Sequence, residues 1–560
     1  MSVAKSPKQA SGTQRGAASK RTKATSRTAT QRAAQPTPIR ADRVNTLLKH
    51  LREQRVLHEE KFSPVYAIAP DMAAAETVNI DPTSAFEEAR TTAMADIAAR
   101  VHAVSHPGFL GTPGEIVKRI GATVVAAASP TTLIALRKRH PGIPVKRVVW
   151  AYPQYVHPLR EELDNVEVAV APAAKAKRVK VRVSHQSQPL AQITIRALLD
   201  YESGANISAA TDSDGIATLR IPPGYKRVEM VYAEPEHSFW SCVQGGFERS
   251  AAPKLVSLEL KPLNPDTYQL LNHYAAYDPN AGAGVTVGVI DSGIGPHHFL
   301  TVAGGACLVF GEDANDIADN GIGHGTHVAG IIAAKPHDGT GIWGIAPACT
   351  LMSYRVCPKT GNRGRAQSSD IAAALQKAIE DGCDIINISM GSLESMPDVP
   401  ELLKRARSVG AVVFAATGND GEDSLRYPAR YPEAVAVGAI GRDSTFPSDC
   451  PEAFQDSEHR QGDEFMAVFS NYGVPIDFVG PGVAVLSTYP NNRYAMMSGT
   501  SMATPFTAGM AARLLTQNPA IRNMPRNASR SDALLKLLVE QHRRAIDWPA
   551  EFVGFGVVVE

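Results

Sequence analysis

Nowhere in these 560 residues is there an apolar run approaching the roughly 20 residues that a bilayer-spanning helix requires, so no membrane span is expected. Cysteine is scarce as well. The six residues, at 242, 307, 349, 357, 383 and 450, form no CxxC pair and no metal-ligand spacing. That argues against a disulfide framework, and thiols inside apolar stretches usually behave as small hydrophobes. Net charge is nearly absent, at +1 from 57 basic and 56 acidic side chains, which removes a general electrostatic case for nucleic acid or a membrane surface. The balance hides one local shortage: before Glu53 the only acid is Asp42. Residues 1–60 therefore read as a disordered basic tail, a spacer or a handle for an anionic partner, with too few apolar side chains to offset ordering entropy. No apolar h-region follows, so no secretory signal peptide is recognised and the cytoplasm is the favoured compartment. Export stays open, and an Arg- and Ser-rich, acid-poor start also fits an organelle transit peptide.

What is present is an ordinary globular composition, 44% hydrophobic and 20% charged, on a chain long enough for two to four domains. From Phe62 to about residue 172 the pattern is a small α+β unit. Pro64–Pro70, Ala122–Ser129 and Val145–Tyr152 read as strands, and Ser84–Val104 and Pro130–Arg139 as helices. Over 178–263 apolar and polar residues alternate in short runs between turn signals such as Asp212-Ser-Asp-Gly215, which predicts a β-sandwich. From Asp266 the rhythm changes to unbroken apolar strands alternating with helices, among them Gly284–Ile290, Leu351–Val356, Asp384–Met390 and Ala411–Ala416. That pattern predicts an α/β unit with a mostly parallel sheet covered on both faces.

Such sheets gather functional groups at the carboxyl ends of their strands. Asp291 follows one strand directly. His324 and His327 open an Ala/Ile-rich helix, and Ser501 precedes the apolar run Phe506–Leu515, with Pro505 expected in that helix's first turn. A Ser before a helix is commonly only an N-cap, and an Asp after a strand only a loop anchor. Two His three apart suggest a metal, yet the adjacent Glu of the zinc-protease helix motif is missing and no third ligand is evident, so no metal site is assigned. The better account gives Ser501 as nucleophile, His324 as the base that activates it, and Asp291 as the carboxylate that fixes the imidazole. An esterase reading fails because no G-x-S-x-G surrounds Ser501.

The segments Val289-Ile-Asp-Ser-Gly293, His324-Gly-Thr-His-Val-Ala-Gly330 and Gly499-Thr-Ser-Met-Ala-Thr-Pro505, in that order, resemble the three signature motifs of the subtilisin family of serine proteases. The resemblance covers roughly 266–560 and includes Gly344-Ile-Ala-Pro347 and Phe469-Ser-Asn-Tyr-Gly473. It implies a subtilisin-like three-layer catalytic domain and an endopeptidase acting on proteins or peptides as a monomer. It also implies an oxyanion hole using Asn419 and a substrate-pairing strand at Ser389, Met390 and Gly391. No cofactor is implied for the chemistry. Structural calcium is a family habit for which Asp313, Asp316, Asp319 and Asp338 lie in suitable loops without matching a known site. Two departures stand out: Phe506-Thr507 replaces the usual His-Val, and the acid-rich insertion 443–465 is read as a surface loop or a specificity or regulatory element.

Residues 123–152 resemble the second half of the family's inhibitory propeptide, which implies a zymogen. Residues 178–262 resemble transthyretin-like or carboxypeptidase-regulatory sandwiches. An inhibitor of this kind ordinarily joins its enzyme directly, whereas here a sandwich intervenes. The rival function is a catalytically silent adaptor working through the N-terminal modules, against which the complete set Asp291, His324, Ser501 and Asn419 argues.

Overall fold

A computed structural model describes residues 39, 43, 44, 46, 47, 65–68, 116–120, 123–126, 145–154 and 176–560, apart from 268, 338, 361–363, 455–456 and 544–547. The helices expected over Ser84–Val104 and Pro130–Arg139 lie outside the described residues, as do most of the basic tail and Asp338.

The C-terminal half is built on an 11-stranded sheet whose centre runs Val302–Cys307, Thr350–Arg355, Thr286–Asp291, Ile385–Ile388, Val412–Ala416, Val435–Arg442 and Phe478–Pro481. All six of those pairings are parallel. Ile385–Ile388 and Val412–Ala416 are buried at every position, which is why they read as continuous apolar runs. Alternate residues face opposite layers. Ile385, Val412 and Phe414 join the cluster that holds the helices His324–Ala333 and Thr500–Gln517. Ile386, Ile388 and Val413 join the one under Ser368–Glu380 and Val399–Ser408. The result is a three-layer α/β sandwich with two separate cores.

Ahead of it, residues 177–259 form two four-stranded sheets face to face. Lys177–His185 alternates exposed and buried residues, and Val179, Val181 and Val183 meet Ile195, Ala197 and Val231 in the core. Arg227–Glu234 differs, because Met230 and Tyr232 are apolar on the outer face as well. Val44 and Leu47, in helical conformation, bury against that face at 6% and 0% exposure. Part of the stretch read as a disordered tail over 1–60 is thus packed, because Val44 and Leu47 supply the apolar cover that this sheet lacks.

The small N-terminal sheet contains Val65–Ile68, Ile116–Ile120, Thr123–Ala126 and Val145–Val148, with neighbouring strands antiparallel. The single strand expected over Val145–Tyr152 divides at Val149. The Val149 amide donates to Ser368 Oγ at 3.1 Å, the Ser368 amide donates back to the Val149 carbonyl at 2.8 Å, and Trp150–Pro153 continues into a different, three-stranded sheet.

The insertion 443–465 is not a plain surface loop. Phe446, Cys450, Glu452 and Phe465 are buried, and Asp449 holds the β-sandwich: its carbonyl accepts the Val243 amide at 2.9 Å and its carboxylate meets Lys261 Nζ at 2.5 Å. A polar composition concealed this role because Asp449 meets a second module and Glu452 and Glu464 are buried against Ser498, Arg442 and Arg543.

Candidate active site

Asp291 ends the strand Thr286–Asp291 in the middle of the parallel sheet. It is 1% exposed, and its Oδ1 lies 2.7 Å from His324 Nδ1 while accepting the Ser292 amide at 2.7 Å. A carboxylate on Nδ1 selects the tautomer protonated there and leaves Nε2 as the basic nitrogen.

His324 is the first residue of its helix, and Gly323 before it has φ +77°. A Cβ on Gly323 would come within 2.0 Å of the Tyr489 ring, and one on Gly325 within 2.3 Å of the Gly293 carbonyl. Gly323 thus lets the helix start press against Tyr489, and Gly325 lets it press against Asp291 and the residues after it. Asp319 anchors the same turn: it accepts the Gly321 and Gly323 amides at 2.7 and 2.9 Å and the Ser292 and Thr326 hydroxyls at 3.2 and 3.0 Å. Burial raises the Asp319 carboxyl above its ordinary range, and these bonds pull the other way. The second histidine, His327, faces elsewhere. Its Nε2 lies 3.0 and 3.1 Å from the carbonyls of Val485 and Ala495, to which it donates, and burial holds its pKa down to about 3. It pins the helix to the hairpin Val485–Tyr489/Arg493–Met497.

Ser501 is the second residue of the helix Thr500–Gln517, which packs against the His324 helix. Pro505 therefore lies inside the helix rather than in its first turn. A proline here removes the amide that would bond to the Ser501 carbonyl four residues back, and Ser389 Oγ donates to that carbonyl instead, at 3.0 Å. In return Ser501 Oγ donates to the Ser389 carbonyl at 2.8 Å. Phe506, in place of the family's usual His, stacks edge-on against Tyr274 with ring centroids 5.2 Å apart.

Asn419 is fully buried. Its Oδ1 accepts both the Thr500 amide at 2.9 Å and the Thr500 hydroxyl at 3.0 Å, which fixes the side-chain flip. Nδ2 consequently points away, buried and without a hydrogen-bond partner among the described residues. An unspent buried donor is costly and calls for a ligand group that accepts. Asn471 holds the loop beyond it, accepting the Asp420 and Gly421 amides at 2.7 and 2.9 Å. Asp420 in turn makes a bidentate pair with Arg426, 2.7 Å in both contacts.

Ser389, Met390 and Gly391 do pair with an extended peptide, and the peptide belongs to this chain. Trp150–Pro153 lies antiparallel between Ala366–Gln367 and Met390–Gly391. Next to it the Gln154 amide donates to the Ser389 carbonyl at 3.0 Å, and the Ser501 amide donates to the Gln154 carbonyl at 2.8 Å. The Gln154 side chain is fully buried, with Nε2 donating to the carbonyls of Tyr152 at 2.7 Å and Gly391 at 3.4 Å.

Two of the loop acids near His324 are already engaged within the protein. Asp316 is taken up by Lys359 and Arg355, and Asp319 by the four donors above. Among the described residues no cluster of three or more His, Cys, Asp or Glu is placed to hold a metal ion.

Residues 282–545 match the model of the Peptidase_S8 Subtilase family. Subtilisin BL of Lederbergia lenta is 40% identical over 255 residues, which are 45% of this chain and 85% of that protein. The chain belongs to the subtilase family. Subtilisin Savinase, also from Lederbergia lenta, matches to the same extent, and Subtilisin DY of Bacillus licheniformis is 38% identical over 245 residues, 43% of this chain and 80% of its own length. M-protease of Shouchella clausii matches at 40% over 243 residues, 43% of this chain, with 57% of its length covered. This subtilase is a serine-type endopeptidase, and no described helix is long and apolar enough to cross a membrane.

Several contributors to the subtilase's site escaped the sequence reading. Thr500 and Asn471 sit inside quoted motifs, but only the folded contacts reveal that they orient Asn419 and its loop. Asp319 looked like a loop acid because its four donors are dispersed over Ser292, Gly321, Gly323 and Thr326. Gln154 carried no signal at all, since nothing local to it predicts a partner in the Ser501 helix.

Proposed function

We propose that this subtilase hydrolyses peptide bonds through an acyl-enzyme, with Ser501 as nucleophile, His324 as general base and then general acid, and Asp291 as the group that orients His324. Rotation about the Cα–Cβ bond of Ser501 moves its hydroxyl from the Ser389 carbonyl toward the substrate carbon. His324 Nε2 takes the hydroxyl proton as the Oγ–C bond forms. The charge on the substrate oxygen is met by the Ser501 amide and by Asn419 Nδ2. His324 then gives its proton to the departing amine, and water releases the acyl group by the reverse exchange. The triad and the hole supply nucleophile, base and charge stabilisation, so no cofactor enters the chemistry. Substrate is gripped in extended form by Ser389, Met390 and Gly391.

The observation that carries this reading is the Ser501 amide 2.8 Å from a peptide carbonyl, beside an Asn419 amide whose nitrogen is unspent. The chain is made as a zymogen in which Trp150–Gln154 fills the cleft that an external substrate needs. Casein hydrolysis by the wild type and by Ser501→Ala tests the mechanism. The substitution should lower turnover about 10⁶-fold, the scale measured in subtilisin itself. Equal rates for the two proteins would remove Ser501 from the reaction.

A further inference from the structure

We infer that Glu452, in the insertion 443–465, is a positioning residue for the nucleophile: it holds the turn Ser498-Gly499 that sets Ser501, from a segment that the β-sandwich grips on its other side. This rests on the catalytic role proposed for Ser501.

A carboxylate taken out of water must be hydrogen-bonded, so its partners say what it holds. Glu452 is 1% exposed and lies in the short helical turn Pro451–Phe454. Its Oε2 accepts the Cys450 thiol at 2.7 Å, and its Oε1 accepts the Ser498 hydroxyl at 3.2 Å. Burial raises the carboxyl above its ordinary range, while the thiol, the residue's own amide and the Ser498 hydroxyl pull it back. Of these partners, Ser498 is the one outside the insertion.

Ser498 stands three residues before Ser501 and is itself 1% exposed. Its Oγ accepts the Ala484 amide at 2.9 Å while donating to Glu452, so one hydroxyl joins the insertion to the loop after Phe478–Pro481. The Gly499 amide then donates to the Gly482 carbonyl at 2.7 Å, and a Cβ on Gly482 would come within 2.7 Å of the Gly499 carbonyl. The helix begins at Thr500, whose amide and hydroxyl both go to Asn419. The Ser501 amide and hydroxyl are therefore carried by a turn with no slack, and a shift of Ser498 moves both relative to a substrate carbonyl. A misplacement of about 1 Å costs about 10²-fold in rate.

The insertion is clamped in turn by the sandwich. Asp449, the neighbour of Cys450, accepts the Val243 amide at 2.9 Å and meets Lys261 with its carboxylate. Phe454, two residues after Glu452, packs against the outer sandwich face that holds Met230, Tyr232 and Val243. Glu452 sits between these two anchors. The nucleophile turn is thus braced from behind by a segment whose own position the sandwich fixes.

Kinetics of the full-length protein on a peptide p-nitroanilide test this, with competent sites counted by diisopropyl fluorophosphate and casein hydrolysis run on the same samples. Glu452→Leu and Ser498→Ala should each lower kcat per competent site about tenfold or more, with KM within about twofold, because Ser389, Met390 and Gly391 are untouched. The double variant should fall no further than the slower single one, since the two side chains act through one bond. Glu452→Gln keeps an acceptor for Ser498 and should stay within about threefold of the wild type. Fewer competent sites with unchanged kcat per site would reduce Glu452 to a structural role and overturn the inference. Additive losses in the double variant, or a Glu452→Gln as slow as Glu452→Leu, would overturn it too. Casein reads the catalytic proposal separately: an inactive wild type, or a Ser501→Ala as active as the wild type, sinks both, and an active wild type matched by Glu452→Leu sinks only the positioning role.

Discussion

The sandwich and the protease domain are both rich in Val, Ile and Ala strands, yet they use polar residues in opposite ways. In one sheet of the sandwich the strands alternate and water takes the polar face, as along Lys177–His185, while in the other sheet Arg196–Glu234 is a buried ion pair at 3.0 Å with side-chain exposures of 5% and 0%. In the protease domain the central strands are buried on both faces, so polar groups collect where strands end. There the buried pair Arg426–Asp420, with 1% and 2% exposure, lies beside Gly391 and Gly418, next to the cleft. The same chemical device supports packing in one module and shapes a site in the other. Sheet topology makes the difference, because antiparallel strands spend their ends on turns while parallel ones leave them open.

Equal lesions should therefore have unequal readouts. Glu234→Ala and Asp420→Ala each leave an arginine buried beside a lost partner and should destabilise by about 3–5 kcal/mol in denaturant melts. Only Asp420→Ala should also lower kcat/KM on casein, and an equal loss of activity in Glu234→Ala would erase the distinction.

Next in size is Asn419→Leu, which removes the unspent donor while keeping bulk. Turnover should fall about 10²–10³-fold, the scale measured in subtilisin, with KM nearly unchanged. A rise in KM alone would reassign Asn419 to ground-state binding. No position in the sandwich should behave this way.

The smallest effect is a pH response that belongs to the protease domain. His327 titrates near pH 3 in the fold because burial disfavours its charged form. The unfolded chain takes that proton near pH 6.5. The folded value is the lower one, so stability falls as pH drops from about 6.5 toward 3, by about 1.4 kcal/mol per pH unit from this residue. Urea melts of Ser501→Ala, which cannot digest itself, should show the decline between pH 6.5 and 5, and adding His327→Gln should reduce it, leaving the part due to His297, whose pKa burial lowers to about 4. An unchanged slope in the double variant would assign the acid response to other groups.

Much of the protease domain was legible because each signal was local. Unbroken apolar strands announced a two-faced sheet, and the residues flanking Asp291, His324 and Ser501 matched three family motifs in order. Helix starts were less legible. Pro505 suggested a first turn, yet the helix begins at Thr500 because Ser389 Oγ satisfies the carbonyl that the proline abandons. The insertion misled for a related reason: Asp449 and Glu452 look solvated until Lys261 and Ser498 are brought to them. Val44 and Leu47 are packed by a sheet face far along the chain.

The sequence by itself determined the three-layer α/β architecture, the family and the residue types able to do acyl transfer, since periodicity and motif spacing are properties of neighbouring residues. The fold alone decided which of those residues touch, which way the Asn419 amide faces, and that Gln154 lies on the Ser501 amide. Those facts depend on pairings between distant segments, and no local pattern encodes a contact whose two halves meet only when the sheet closes.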